Sequence, residues 1–252
     1  MGADNIIIRN NIIRKVGYKG IWSMNSENLR ISNNTITECY GTHGNPVSIF
    51  TTKNCLFANN RLTGDTEILT YSENEDFVVH NNLIVAGFDG LTETGSFVLR
   101  ENGDKGKGYH IITNNTILYS ATNFALGISD HPNDPQKQII HNNIADGGED
   151  LLANIISHNI YTGESWRQRR ESWHLSEGEF FVSDPDSIFT NPAEKDFTLF
   201  SESVARNAGI DIAAVIPQAI KDLFPDFDFS FDIDGNPRGA DGAWDIGAYE
   251  YV

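Results

Sequence analysis

The sequence predicts an all-β solenoid, and three observations predict it. An asparagine pair recurs through the first two thirds of the chain, apolar residues stand at fixed offsets around each pair, and the spacing between pairs suits one coil. The copies are Asn10-Asn11, Asn33-Asn34, Asn59-Asn60, Asn81-Asn82, Asn114-Asn115, Asn142-Asn143 and His158-Asn159. Measured at the second Asn, the spacings are 23, 26, 22, 33, 28 and 16 residues. That range is too long for a hexapeptide solenoid and too irregular for ankyrin or tetratricopeptide arrays.

Each coil reads strand, corner, strand, loop, strand, loop. Two residues before the first Asn stand Ile8, Ile31, Phe57, Val79, Ile112, Ile140 and Ile156. Two residues earlier stand Ile6, Leu29, Cys55, Phe77, His110, Gln138 and Asn154. A step of two keeps both columns on one strand face, so both point inward. After the corner comes a second inward column, Ile13, Ile36, Leu62, Ile84, Ile117, Ala145 and Tyr161. Asparagine tolerates the left-handed backbone that a sharp corner needs. Its amide can also bond to an equivalent amide one coil away, at the strand spacing of ~4.7 Å. The second Asn, present in all seven copies, is the expected buried ladder. A third strand is expected at Gly20–Ser23, Val47–Phe50, Ile68–Tyr71, Phe97–Arg100, Phe124–Ile128 and Leu151-Leu152.

This pattern, over roughly residues 5–161, resembles the right-handed parallel β-helix proteins of the pectate-lyase-like superfamily. The resemblance implies a right-handed parallel β-helix of about seven or more coils over 1–200, closed by a C-terminal cap over 201–252 that belongs to the same domain. It implies less about chemistry, because that superfamily spans lyases, hydrolases, epimerases, adhesins and tailspikes.

Composition narrows the partners. The chain carries 35 acidic and 18 basic residues, a net charge of −17. Strong acidity excludes nucleic acid as a partner, and no stretch is apolar enough to predict a membrane span. An acidic polysaccharide needs a local basic groove or a bound Ca²⁺ to offset this field. Two cysteines do not make a disulfide framework; Cys55 is expected in the core and Cys39 in a loop. The chain runs into a coil strand at Asn5 with no shielding element before it. Either missing upstream sequence or another chain is expected to cover that edge, the second giving a homo-oligomer. The outward column of the pre-corner strand, Ile7, Arg30, Leu56, Val78, Ile111, Ile139 and Ile155, is almost wholly apolar. A solvent-facing sheet should alternate, so this stripe is expected to be covered by the C-terminal segment or by a partner chain.

After Tyr161 the repeat stops. Trp166 to His174 form a basic, aromatic excursion, and Phe180–Val182 and Phe197–Leu199 read as strands of terminal coils. From Ile212 to Phe224 the apolar spacing is helical, and Pro217 predicts a turn and then a short helix capping the solenoid end. The run ending in Asp245-Ile246-Gly247-Ala248-Tyr249-Glu250-Tyr251 resembles the closing module of bacterial secreted β-helix proteins, which implies secretion or surface display. Asp232-Ile233-Asp234-Gly235 has a partial Ca²⁺-loop pattern; a structural turn with an Asp–Arg238 pair is the expectation.

The resemblance places a substrate groove along the third strand and its flanking loops. Trp22, Ser48, Phe50, Tyr71 and Arg100 are expected to face outward there, with Glu101, Lys105, Lys107, Asp130 and His131 in long neighbouring loops. Two reactions fit. In β-elimination on a polyuronate, a cation neutralises the sugar carboxylate and a base removes the ring proton; Arg100, Lys107, Asp130 and His131 are the catalytic candidates. Trp22, Phe50, Tyr71, Lys105 and Glu101 are the substrate-binding ones. In hydrolysis, Glu101 with Asp130, or Asp89 with Glu93, would act as paired carboxylates. A non-catalytic carbohydrate-binding solenoid, or a fragment of an enzyme, is the rival. No metal ligand set is expected, and Ca²⁺ is the one cofactor the acidic run admits.

Overall fold

At each predicted corner the first Asn takes the left-handed conformation, and His158 does so in the seventh, with φ between 52° and 58°. The computed structural model describes residues 3–39, 45–64, 69–86, 97–101, 107–119, 124–127, 138–146, 148–149, 155–162 and 175–252. Within them the corners join two long parallel sheets, and a third parallel sheet closes the coil. The pre-corner sheet has seven strands, from Ile7–Arg9 to Ile155–Ser157. The post-corner sheet has eight, from Ile12–Val16 to Phe180–Val182. The third sheet has six: Ile21–Met24, Val47–Phe50, Leu69–Ser72, Phe97–Glu101, Phe124–Gly127 and Gly148–Glu149. Together they form a parallel β-helix.

The register stacks like on like. Ile31, Phe57, Val79, Ile112 and Ile140 stand in one file, and Ile36, Leu62, Ile84, Ile117 and Ala145 in another, all buried in one core. Cys55 lies in this core, and His110 is buried with its Nε2 3.2 Å from the Asn74 carbonyl. Cys39 is not in a loop: it ends the strand Thr35–Cys39 and is also core. Both thiols are free, and burial raises the Cys39 pKa to about 11.

The second Asn of each pair forms the ladder. Each Nδ2 donates to Oδ1 of the next rung at 3.0–3.1 Å, from Asn11 through Asn34, Asn60, Asn82, Asn115 and Asn143 to Asn159. The backbone N–H donates to the same oxygen, at 2.9–3.0 Å. Asn159 then donates to Glu179 Oε1, which also accepts from the Tyr161 hydroxyl. The repeat therefore takes one more corner than the sequence suggests. Gly178 supplies the positive φ of 69°, Glu179 the rung, and Phe180–Val182 the next strand, paired to Ile160–Thr162. A second, shorter ladder starts the pre-corner strands, where Asn54 donates to Asn28 and Asn28 to Asn5. Asp76 and Gly108 continue that positive-φ file. At Gly108 a Cβ would fall 2.3 Å from Asp76 Oδ1, so the close approach and the φ of 71° both require glycine.

The C-terminal third wraps two outer faces. Leu56, Val78, Ile111 and Ile139 pack against Ile212, Ile216, Ile220, Phe224, Phe229 and Trp244. The middle of the apolar stripe is thus covered by the same chain, while Ile7 and Ile155 at its two ends stay 58 % and 40 % exposed. The short helix Gln218–Leu223 opens after Pro217 as expected, preceded by a helical turn at Ile212–Val215. It lies along the solenoid's flank rather than over its end. On the post-corner sheet, Val85, Ile144 and Ile160 pack against Ile188, Phe189, Phe197, Ala205, Ile246 and Ala248. Phe197 and Leu199 are not in a coil: Asp196–Leu199 pairs antiparallel with Phe189–Asn191. The stretch 163–174 and Leu151-Leu152 lie outside the described residues; the third strand of that coil is Gly148–Glu149. No described helix is long and apolar enough to cross a membrane.

Candidate functional site

On the outside of the third sheet, side chains of the first two strands are exposed or half-buried at Trp22, Met24 and Phe50. Its first strand alternates as a half-buried sheet should. Ile21 and Ser23 face inward, while Trp22 is 60 % and Met24 49 % exposed. In the next strand Val47 and Ile49 are core and Phe50 is half-buried, while Ser48, expected to face outward, is fully buried beneath the Lys19 ammonium that bonds to it. Trp22 stands in register with Ser48, and Met24 with Phe50.

Lys19, two residues before the strand, folds back over this face. Its Nζ donates to Ser48 Oγ at 2.8 Å. It also lies 5.5 Å from the Tyr18 ring centroid and 5.9 Å from that of Phe50. A cation at this distance from a ring face is attracted to the π-cloud. Trp22, Phe50, Tyr18 and Lys19 therefore form one cationic, aromatic platform. The sequence reading found Trp22 and Phe50. It missed Met24, which the two-residue step from Trp22 would have given. It also missed Tyr18 and Lys19, which belong to a connection with no periodicity.

The register extends the platform along the sheet. Trp22, Ser48, Thr70, Arg100, Gly127 and Glu149 are successive partners in one file. Arg100 thus stands three strands from Trp22, ~14 Å at the usual strand spacing. Tyr71 is level with Ile49, and Glu101 with Tyr71, so both are one residue out of phase with the outward column expected for Tyr71. Lys107 opens the strand Lys107–Thr113, around the next corner. It is exposed and in register with Glu75, in a file that alternates Glu27, Lys53, Glu75, Lys107. Lys53 and Glu75 are paired at 3.5 Å. Lys105, Asp130, His131, Asp89 and Glu93 lie outside the described residues.

The C-terminal carboxylates are engaged within the fold. Asp232 accepts from the backbone of Asp234, Asn236 and Glu250, which makes the acidic run a structural turn. Arg238 pairs with Glu250 at 3.2 Å rather than with an aspartate, both side chains being fully buried. Its other amino group holds Asn81 Oδ1 and the Gly247 carbonyl, locking the module to the coil. Asp241, Asp245 and Glu250 bring ligand atoms within 4.8 Å of one another. Yet Asp245 accepts from the Asn207 and Tyr251 N–H groups, Glu250 from Gly239 and Asp245, and Asp241 from Arg206. Burial raises the pKa of Asp245 and of Glu250 from their ordinary values. The arrangement is that of a clasp, with two guanidinium groups set among three carboxylates.

His80 and His141 stand two strands apart in one file, Thr113 between them. His80 Nδ1 is 2.9 Å from Thr113 Oγ1, and its ring meets Phe227 and Phe229 edge-on. Burial holds its pKa well below the ordinary value, and the nearby Arg238 charge adds to this.

Compared with known families, the chain matches the model described as right handed beta helix region over residues 1–144. No curated protein matches it.

Proposed function

The chain belongs to the right-handed β-helix family, and from that premise we propose that it is a carbohydrate-active protein which takes an acidic polysaccharide along the third sheet and cleaves it by β-elimination. The single observation that carries this reading is the open face. Among the described residues, two of the three outer faces are packed with the chain's own C-terminal third, and the remaining one carries Trp22, Phe50 and Lys19, with Arg100 three strands along the file that starts at Trp22. Exposed aromatic rings offer flat apolar surface for the C–H faces of sugars. Cations on the same face draw an anionic polymer against the molecule's overall negative field.

In β-elimination the proton beside the sugar carboxylate is removed and the glycosidic oxygen at the next carbon leaves. A guanidinium such as that of Arg100 stabilises the negative charge that develops on the carboxylate. Lys107 or His131, flanking the sheet in sequence, would take the proton. The protein is proposed to act outside the cell or on its surface, as the closing module of secreted relatives implies. Incubation with polygalacturonate or alginate tests this. An ultraviolet-absorbing unsaturated product is expected, with loss of at least a hundredfold in rate for Arg100→Ala. Reducing ends without unsaturation would instead point to hydrolysis, and retention on the polymer without cleavage to a binding solenoid.

A further inference from the structure

We infer that the first two coils hold a dedicated subsite for one anionic sugar ring, with the Trp22 indole beneath the ring's apolar face and the Lys19 ammonium beside its acidic group. This rests on the acidic-polysaccharide reading but not on where cleavage takes place.

Three independent features point to it. The first is charge. Residues 1–26 carry Arg9, Arg14, Lys15 and Lys19 against Asp4 alone, in a chain whose net charge is −17. A local reversal of this kind concentrates an anionic polymer at one end of the solenoid. The second is preorganisation. Lysine is normally a flexible point charge, and ordering its side chain costs binding energy. Here the Ser48 hydroxyl and the Tyr18 and Phe50 rings already hold the ammonium over the face. The third is geometry. Ser48 is the in-register neighbour of Trp22, so the residue whose hydroxyl holds the ammonium is rooted about one strand spacing (~4.8 Å) from the root of the indole. That offset is close to the width of a pyranose ring, so ring face and acidic group can be met together. Met24, exposed beside Trp22 in the same strand, extends the apolar floor toward the next ring of a chain.

Affinity electrophoresis and calorimetry with polygalacturonate, its fully methyl-esterified form and a sulfated galactan test the subsite on the full chain. Lys19→Gln is expected to weaken polygalacturonate binding about tenfold and leave the neutral ester unchanged. Trp22→Ala is expected to weaken both. Preference for the sulfated galactan would identify the acidic group as sulfate and keep the subsite. Wild-type affinity for every polymer in Lys19→Gln or in Trp22→Ala would overturn it, even if unsaturated product still forms. Binding with the expected sensitivity but no cleavage product would sink the lyase reading and leave the subsite standing. Failure of the wild type to bind any of the anionic polymers would sink both.

Discussion

The two asparagines of each corner do different work, although they are the same residue one position apart. The first supplies backbone conformation and points its amide outward. In three copies that amide meets the C-terminal segment: Asn81 is held by Arg238, Asn114 donates to the Asp245 carbonyl, and Asn142 exchanges bonds with Ile210. The second supplies the ladder, in which each side-chain oxygen accepts from the amide one coil earlier. Glu179 ends it well, because an ionised carboxylate only accepts. This amide file was legible from sevenfold recurrence. The eighth rung was not, since Gly178-Glu179 meets the same conformational and acceptor needs with different letters. Rungs should differ in worth along the file. Asn115 is fully buried; its amide donates to Val79 O, Thr113 O and Asn143 Oδ1, and its oxygen accepts from Asn82. Asn115→Ala leaves several buried groups without partners and is expected to cost about 3 kcal/mol or more in urea unfolding. Asn11 is exposed and has no earlier rung, so Asn11→Ala should cost under ~1 kcal/mol. Equal losses at both positions would mean that the ladder is not what holds the corners.

At the scale of elements, the cover on the pre-corner sheet was half legible. An unbroken apolar column on a face that should alternate required something to lie on it, and sequence said so. Which way the helix after Pro217 would lean was not legible, because an apolar helix face fits a solenoid's end or its flank equally well. The choice is fixed by polar contacts distant in sequence, such as Arg30 Nη2 to the Leu223 carbonyl and Arg238 to Asn81. The same cover lies over His80, which is fully buried and has Arg238 as a charged neighbour. Its pKa in the fold is lowered, as is that of the largely buried His141, so the unfolded chain binds protons more readily at both. Their neutral forms leave stability intact above about pH 6.5, the unfolded value, and stability falls as the pH drops from there toward the folded values. Asp245 and Glu250, with raised values, act in the opposite sense: they favour the fold as pH falls through the carboxylate range. The melting temperature is therefore expected to decline between pH 7 and pH 5. His80→Gln should flatten part of that decline, and an unchanged profile in this variant would show that His80 does not couple protons to folding.

For the molecule as a whole, the C-terminal third is packed along two faces of the repeat. The coil core is legible from periodicity, yet the outer faces hold two further apolar clusters, and both need residues after 200. The functional face was legible in outline, through Trp22, Phe50 and Arg100. Lys19 was not, because its place depends on Ser48, 29 residues away. Deleting residues 201–252 would strip Ile212, Ile216, Ile220, Phe224 and Trp244 from Leu56, Val78, Ile111 and Ile139, and Ala205, Ile246 and Ala248 from Val85, Ile144 and Ile160. The inner files and amide ladder would remain, so strand content by circular dichroism should persist in large part. The two uncovered stripes would form contiguous apolar patches of the kind monomeric soluble proteins rarely expose. The truncated chain is therefore expected to bind a hydrophobic dye strongly, to self-associate in sedimentation, and to unfold at lower urea than the full chain. A monomeric, dye-silent fragment of unchanged stability would show that the wrapped faces contribute nothing, and the open third sheet would then lose its distinction as the face left for a ligand.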